Sequence, residues 1–314
     1  MVDGMRTSVI SEEAKRHSSI VNVLIRLVKE KPLGTVGLII VLLMLVTGIF
    51  ADFLTPYPRD EIHPLDGLCP PSSAYVLGTD LLGRDLLSRI MHGARISMIV
   101  GLAGASLAVV VATIIGLLSG FFGGKFDMAV QRFVDAIMCF PPLFLYLTIM
   151  AILGQGLGQV ILVLGVTSGI THSRVVRSAV IGVKENMYVD AATAIGCPPQ
   201  RILFKHILPN IMSSVIIIFS ILVGHMILAE AYLSFLGFGI PPPTPSWGGM
   251  LSGQGRQYML AAPWLAIWPG LALGITVYSL NMLGDAVRDI LDPRLRGGLG
   301  RYGRTKLGKN KKRR

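Results

Sequence analysis

Long runs without a charged residue constrain this chain more than any other feature. Asp, Glu, Lys and Arg are absent from five stretches, residues 33–51, 96–124, 136–173, 211–229 and 257–284. A helix needs about 20 apolar residues to cross the ~30 Å hydrocarbon core of a bilayer. The third stretch is 38 residues long and contains the Gly-rich sequence GQGLGQ at 154–159, which indicates two spans joined by a turn. The sequence therefore predicts six transmembrane helices.

The composition agrees with a membrane protein that crosses the bilayer several times. Only 15% of the 314 residues are charged and 52% are hydrophobic, whereas soluble domains carry about 25% charged residues. The first two uncharged runs lack the two-residue alternation that is typical of a transmembrane β-strand. Each span is therefore expected to be a helix that satisfies its own backbone hydrogen bonds. We predict an all-α polytopic membrane protein.

The distribution of basic residues predicts the orientation. Six spans place both termini on one side, and assigning that side to the cytoplasm puts 24 of the 29 Lys and Arg residues inside. This asymmetry follows the positive-inside rule. The predicted segments are a cytoplasmic N-terminal segment (1–32), a first transmembrane helix (33–54), an extracytoplasmic loop (55–95), a transport domain with five helices (96–290) and a basic cytoplasmic tail (291–314).

Much of the net charge of +11 lies in the C-terminal tail. A basic tail on the cytoplasmic face of a membrane protein is typical of contact with anionic lipid. We therefore expect the tail to lie near membrane lipid and not to bind nucleic acid.

Two outer segments carry recognisable patterns. In LGTDLLGRDLLSRIMHGARIS, 77–97, apolar residues recur at helical spacing, which predicts an amphipathic helix on the membrane surface. Thr79 or Asp80 is expected to cap it, and Asp85 is placed to pair with Arg89. The second segment, 237–251, contains four prolines and Trp247. It is either a stiff loop anchored at the lipid interface or an outer lip that a partner contacts.

Few ionisable residues fall within the predicted spans, and such residues are functional candidates by default. Arg132 and Asp135 are three residues apart and can pair on one helix face. His225 and Glu230 are five residues apart and do not share a face, and Glu230 is expected within reach of water near the outer end of its span. Because these residues do not form a continuous chain, ion pairs that stabilise the structure are favoured over a pathway for protons.

One cytoplasmic segment is polar, charged and rich in helix-terminating residues. It reads NMYVDAATAIGCPPQRILFKHILPN, 186–210. We expect a helix over 187–195 that ends at a left-handed Gly196. Pro198 and Pro199 would start a second helix, since proline is tolerated in a first turn, and Pro209 would end or kink it. A loop with its own secondary structure is usually functional, and this one is suited to packing against another protein.

This segment resembles the EAA loop of ABC-importer permeases, which consists of E-A-A, three residues, Gly and a closing motif that ends in Leu-Pro. Asp190, Ala191 and Ala192 stand for E-A-A, and Gly196 stands for the glycine. The closing residues are Ile207, Leu208 and Pro209. The outer segment 77–97, EAYLSFLGFGIPPPTPSWGGML and NMLGDAVRDILDPRLR are similar to C-type subunits of the dipeptide/oligopeptide/nickel permease family. The resemblance covers roughly residues 20–296.

The resemblance implies a type I importer permease in the inner (plasma) membrane of a prokaryote. In that family the chain pairs with a B-type sister permease as a heterodimer and forms half of the translocation pathway. Two cytoplasmic ATPases dock on the EAA loops, and an extracytoplasmic binding protein delivers the substrate. The residues implied to dock the ATPase are Tyr188, Asp190, Ala191, Ala192, Ala194, Gly196, Leu208 and Pro209.

The resemblance also implies a subunit that is not an enzyme. No GxxxxGK[ST] motif occurs in the chain, so ATP and Mg²⁺ are expected on the partner ATPases and no cofactor or metal on this chain. Peptides are the commonest substrates in the family, and nickel, glutathione and oligosaccharides are alternatives that the sequence leaves open. The competing hypothesis is an ion-coupled secondary transporter or channel, which predicts inverted repeats and a charged relay. Neither feature is visible in the sequence.

Overall fold

A computed structural model describes residues 20–291, and this part of the chain is almost entirely helical. The helices are α1 Ile20–Glu30, α2 Pro32–Ile49, α3 Ala51–Leu54, α4 Leu86–Phe122, α5 Gly124–Met138, α6 Pro142–Leu153, α7 Leu157–Lys184, α8 Met187–Ala194, α9 Pro199–Arg201, α10 Leu208–Phe235, α11 Trp247–Ser252, α12 Gln254–Gln257 and α13 Trp264–Leu291. A short 3₁₀ helix covers Pro64–Asp66, and a π-helical turn, Ile202–Ile207, joins α9 to α10. The basic tail and the first 19 residues lie outside the described residues.

Five helical stretches are long and apolar enough to cross a membrane: α2, α4, α7, the continuous stretch Pro199–Phe235, and α13. The pair α5 and α6 supplies a sixth crossing if it is counted as one span, and it bends by 89° at its break. The structure is therefore consistent with the prediction of six spans. The third crossing is broken, because α5 ends at Met138 and α6 begins at Pro142. Pro141 and Pro142 follow, and proline disfavours helix continuation in the residue before it.

Helices α4 and α7 form the most extensive helix pair in the described part of the chain. On α4, Gly116 and Gly120 are spaced as GxxxG. A Cβ placed on Gly116 would lie 2.6 Å from the carbonyl oxygen of Ser173 and 2.8 Å from the amide nitrogen of Arg177. The backbones of the two helices therefore touch at this point, and only glycine fits between them.

The same spacing recurs on α7 with Gly165 and Gly169. A Cβ on Gly169 would lie 2.7 Å from the carbonyl oxygen of Ala108, and one on Gly165 would lie 2.8 Å from a methyl carbon of Leu107. Lipid tails are as apolar as leucine, so helices associate in a bilayer through close van der Waals packing of small residues. Two GxxxG pairs, one on each helix and at different levels along the contact, supply that packing here.

The start of α4 differs from the sequence-based expectation. Residues 77–85 are not helical, and the helix begins at Leu86. Asp85 is the N-cap, because its Oδ2 accepts hydrogen bonds from the amide and the hydroxyl of Ser88 at 2.8 and 2.7 Å. Gly78 and Gly83 adopt positive φ angles of 84° and 72°, which a right-handed helix excludes. The predicted surface helix is thus the first part of the second span, and neither Thr79 nor Asp80 caps it.

The predicted pair of Asp85 with Arg89 is also absent from the structure. Arg89 instead lies 3.5 Å from Asp60 and 3.7 Å from Asp80. Asp80 closes the preceding loop, since it accepts hydrogen bonds from the amides of Leu82 and Arg84 at 2.9 and 3.0 Å. The carboxylate of Asp85 is occupied as a helix cap, and so Arg89 turns to the acidic groups of the outer loop.

Trp247 is fully buried and is not an anchor at the lipid interface. Its indole Nε1 donates a hydrogen bond to the carbonyl oxygen of Ile90 at 3.1 Å. A Cβ on Gly93 would approach the indole ring to 2.9 Å. The segment after the prolines is therefore attached to the first turns of α4 through this one side chain.

The glycine contact between α4 and α7 predicts a strong dependence of stability on a single methyl group. Gly116→Ala forces a Cβ against the α7 backbone, and overpacking of this kind costs about 1–3 kcal/mol. Gly182→Ala is the matched control, because Gly182 is also helical and nothing lies within 4 Å of its added Cβ. We expect a lower thermal unfolding midpoint for Gly116→Ala in detergent, and an unchanged or higher midpoint for Gly182→Ala. Equal midpoints for the two variants would contradict this packing.

Candidate functional site

Helix α8 follows directly on α7. Two residues, Glu185 and Asn186, separate the two helices. The Asn186 backbone is extended at the start of α8, and its side chain does not cap that helix. Its Nδ2 instead donates hydrogen bonds to the carbonyl oxygens of Gly182 and Val183 at 3.2 and 2.9 Å. Asn186 thus closes the last turn of α7 and fixes the direction in which α8 leaves it.

The C-terminus of α8 adopts the conformation that the sequence predicts. Gly196 has a φ angle of +77°. Its amide donates to the carbonyl oxygen of Thr193 at 3.0 Å, and the amide of Cys197 donates to that of Ala192 at 3.1 Å. These two bonds form a Schellman motif, in which glycine is preferred at the left-handed position. No atom lies within 4 Å of a Cβ added to Gly196, so the backbone conformation alone selects glycine.

The helix that follows starts as predicted and ends much later than predicted. Pro199 is its first residue, after an extended Pro198. The helix then runs through the π turn into α10, so Pro209 does not end it. In the π turn the amide of Leu208 donates to the carbonyl oxygen of Leu203, five residues earlier. This wider turn accommodates a proline ring that would clash in a regular helix.

One face of α8 is buried against the start of α10. Val189 and Ala192 are 3% and 8% exposed and belong to the main apolar core. The same core contains three residues of the π turn, namely Ile202, Leu203 and Ile207. Burial of apolar surface therefore fixes α8 to the beginning of a membrane span.

The opposite face of α8 is exposed. Of the residues that the resemblance singled out, six are exposed: Tyr188, Asp190, Ala191, Ala194, Gly196 and Pro209. Leu208 is half-buried and Ala192 is buried, so Ala192 supports the helix from within. The carboxylate of Asp190 makes no ion pair with any residue in the described range.

Three exposed apolar side chains of this surface were missed by reasoning from the sequence. Met187, Ile195 and Phe204 are 87%, 85% and 64% exposed. Val189, Ala192 and Ile195 are spaced by three residues, so a continuous helix would place Ile195 on the same buried face as the other two. Ile195 is exposed because the helix ends at Ala194. No sequence signal separates such residues from core residues. We define the α8 surface as Met187, Tyr188, Asp190, Ile195 and Phe204.

An ion pair and two hydrogen bonds tie the C-terminal part of α7 to its neighbours. Arg177 binds Asp127 of α5 with two hydrogen bonds, of 2.6 Å from Nε and 2.5 Å from a terminal nitrogen. The hydroxyl of Ser119 on α4 donates to the same carboxylate. Lys184 donates to the carbonyl oxygen of Phe121 at 2.6 Å. The last turns of α7, from which α8 leaves, are therefore held at both α4 and α5.

A second cluster of ion pairs joins α5 to α7. Arg132 and Asp135 pair at 3.5 Å, as predicted from their spacing. Asp135 also pairs with Arg174 of α7, a contact between helices that spacing within one helix does not reveal.

Glu230 of α10 differs from the expectation that water reaches it, because it is fully buried and accepts a hydrogen bond from Ser234 at 2.6 Å.

The outer face carries a cavity of about 770 Å³ between the outer loop and the proline segment. Its charged lining residues are Asp60, Asp80, Arg84 and Arg89, and its opposite wall consists of residues 237–246. Acidic and basic groups are thus both present at this opening. The proline segment forms one rim of this cavity.

Two polar contacts fix the outer loop next to this cavity. The hydrogen bond from Arg95, together with one from His92, holds the pKa of the Asp52 carboxyl below its usual value. Tyr75 donates its hydroxyl to Asp66 at 2.8 Å, and this bond raises the pKa of Tyr75 to about 12. The first contact joins α3 to α4 across the ends of the outer loop, and the second closes a turn within the loop, so together they give it a defined shape.

Comparisons with known proteins agree with this architecture. The family described as "Binding-protein-dependent transport system inner membrane component" matches residues 112–297. The family described as "N-terminal TM domain of oligopeptide transport permease C" matches residues 22–71. Among solved structures, the MetNI methionine ABC transporter in inward-facing conformations aligns with a TM-score of 0.54 at 18% identity, over 65% of this chain and 96% of that chain. This likeness shows the shared type I permease fold.

Curated relatives are similar over most of the chain. The glutathione transport system permease protein GsiD of Pectobacterium atrosepticum is 39% identical over 82% of this chain and 85% of its own length. The dipeptide transport system permease protein DppC of Alkalihalophilus pseudofirmus and the oligopeptide transport system permease protein OppC of Bacillus subtilis are each 38% identical over 85% of this chain and 88% of their own. The chain therefore belongs to the binding-protein-dependent ABC-importer permeases of the peptide-transport family.

Proposed function

We propose that this permease subunit forms half of the translocation pathway for di- or oligopeptides or a related small solute, and that α8 couples the pathway to a cytoplasmic ATPase. The observation that carries the coupling proposal is the two-sided character of α8. Val189 and Ala192 fix one face to the membrane core, while the α8 surface is exposed. A helix held in this way can bind a partner and transmit its movement.

The substrate class is inferred from the relatives. Their names specify dipeptide, oligopeptide and glutathione transport, and they are 38–39% identical to this chain. All three solutes are peptides or derivatives of peptides. We therefore place peptides ahead of nickel and oligosaccharides as the transported solute.

The α8 surface suits a groove on an ATPase. Met187 and Ile195 project at the two ends of the helix and are almost fully exposed, and large exposed apolar side chains commonly mark protein interaction sites. Asp190 lies between them in the first turn. We expect the partner groove to have apolar walls and a basic residue facing Asp190.

The complete importer in this proposal contains two ATPases, a B-type sister permease as a heterodimer partner and an extracytoplasmic binding protein. ATP and Mg²⁺ are bound by the ATPases. This chain is a non-catalytic subunit that binds no cofactor of its own, with both termini in the cytoplasm.

The contacts of α8 suggest how movement reaches the membrane. Asn186 joins α8 to α7, and the buried face of α8 joins it to the start of α10. Displacement of α8 by the ATPases would therefore move two spans together. Packed helices switch between discrete arrangements and do not deform smoothly, so such a movement supports alternating access.

The first functional prediction concerns the end of α8. Gly196→Val places a β-branched residue at a left-handed position, with a strain of about 1–2 kcal/mol. Gly196→Asn is the matched control, because asparagine tolerates this conformation. We expect Gly196→Val to retain fewer ATPase subunits on copurification and to lower substrate-stimulated ATP hydrolysis, while Gly196→Asn stays close to the wild type.

Asp190→Lys tests the same surface through charge and should also weaken ATPase retention. Span insertion and binding of the sister permease should be unchanged in all three variants, which is checked by the amount of permease pair recovered. Full ATPase retention and wild-type uptake in both Gly196→Val and Asp190→Lys would rule out α8 as the coupling element. Uptake by this chain alone, driven by an ion gradient, would favour the secondary-transporter hypothesis.

The second prediction concerns orientation. Ile195 and Leu260 are 85% and 97% exposed, and the proposal places them on opposite sides of the membrane. Single cysteines at the two positions, in a chain without Cys69, Cys139 and Cys197, are treated with a membrane-impermeant maleimide. Position 260 should label in intact spheroplasts, and position 195 only after permeabilisation. The reverse pattern would invert the topology.

A further inference from the structure

A second, smaller cavity lies at membrane depth, where the third crossing bends between α5 and α6. Its volume is about 210 Å³. Apolar residues on both sides of the bend form one wall, and α7 and α10 form the other. Six polar side chains line it: Tyr146, Thr167, Ser168, Thr171, His172 and His225. Non-helical backbone at membrane depth is tolerated where it is buried in protein or lines a water-filled cavity, and the bend at 139–141 adjoins this one.

His225 is the most informative of these residues. It lies within the apolar helix α10, its side chain is exposed, and no hydrogen bond or ion pair joins it to any residue that the structure describes. Ionisable side chains in membrane spans almost always face the bundle interior or a water-filled cavity. The side of α10 that carries His225 is therefore assigned to the translocation pathway and not to lipid.

His172 is held in a defined orientation across the cavity. Its Nδ1 lies 2.8 Å from the carbonyl oxygen of Ser168, so Nδ1 carries a hydrogen and donates it to that oxygen. The hydroxyl of Thr171 donates to the same carbonyl at 2.9 Å. The Nε2 atom of His172 has no protein partner in the described range, and it becomes a donor when the ring is protonated.

The chemistry of the lining indicates an anionic ligand. Among the described lining residues there is no Asp or Glu, while two imidazoles can each donate a ring N–H to an anion. The nearby Asp135 is already paired with Arg132 and Arg174. The volume is below the ~300–1,000 Å³ of sites that enclose a whole small molecule. The cavity thus fits one end group of a longer solute.

We propose that this cavity is a binding site at membrane depth for a carboxylate of the transported solute, with His172 and His225 as its two ligands. The identification of the ligand rests on the proposed function, since it assumes that a solute with a carboxylate passes along this face. The site itself follows from the cavity, the exposed His225 and the oriented His172.

The test uses thiol chemistry in the full chain in its native membrane. His225→Cys is compared with Ile216→Cys in a background without native cysteines. Position 216 is 43% exposed and lies on the opposite side of α10, because nine residues correspond to two and a half turns of helix. Both cysteines are treated with an anionic sulfonatoethyl and a cationic aminoethyl methanethiosulfonate, and each rate is normalised to that of a free thiol in solution.

We expect the cysteine at 225 to react about tenfold faster than the one at 216, because only the former faces water. It should favour the anionic reagent, and His172→Leu or His172→Asn should remove that preference. Acetate should slow the reaction, whereas acetamide, its neutral isostere, should not. The two substitutions of His172 ensure that a folding failure of one does not decide the result.

Equal rates at 225 and 216 would place His225 against lipid and overturn the proposal. A fast reaction that shows no charge preference, or that acetate and acetamide slow equally, would overturn the carboxylate site and leave only a water-filled cavity. The labelling requires neither ATP hydrolysis nor transport. A negative result in this labelling experiment can therefore be distinguished from a negative result in the ATPase-docking experiment.

Discussion

Backbone contact between α4 and α7 is the constraint on which the rest of the structure depends. Two GxxxG pairs at different levels, Gly116 with Gly120 on α4 and Gly165 with Gly169 on α7, allow the two helices to touch. In a bilayer this close packing replaces the hydrophobic driving force available in water. The Arg177 and Asp127 ion pair then fixes α5 to the cytoplasmic end of the same helix pair. The position of α8 follows from the position of α7.

Helix α8 and the cavity lined by His172 and His225 share this framework. Helix α8 leaves the last turn of α7, and His172 lies near the middle of the same helix. Helix α10 begins against the buried face of α8 and carries His225 further along its length. In the proposed function, a movement imposed on α8 would therefore displace both imidazoles with the spans that carry them. The ATPase-facing surface and the pathway-facing cavity would be connected by two continuous helices.

The sequence predicted the features that depend on local interactions. Run lengths predicted six spans, and glycine chemistry predicted the left-handed Gly196. It did not predict the features set by contacts between distant residues. Asp85 caps α4 because the loop before it is folded by Asp80, and Pro209 continues a helix because a π turn accommodates its ring. Family membership decides against the ion-coupled alternative, since the chain belongs to the ABC-importer permeases.

The central claim is that α8 is fixed to α7 and transmits movement as part of it. The direct test is a pulsed dipolar distance between spin labels at Ser178 on α7 and Thr193 on α8, both exposed, in the assembled importer. If α8 moves as part of α7, the mean distance is the same in the nucleotide-free and ATP-trapped states, while the distance from Thr193 to the sister permease changes. A shift of several ångströms between Ser178 and Thr193 on ATP binding would show that α8 moves independently, and would contradict the account.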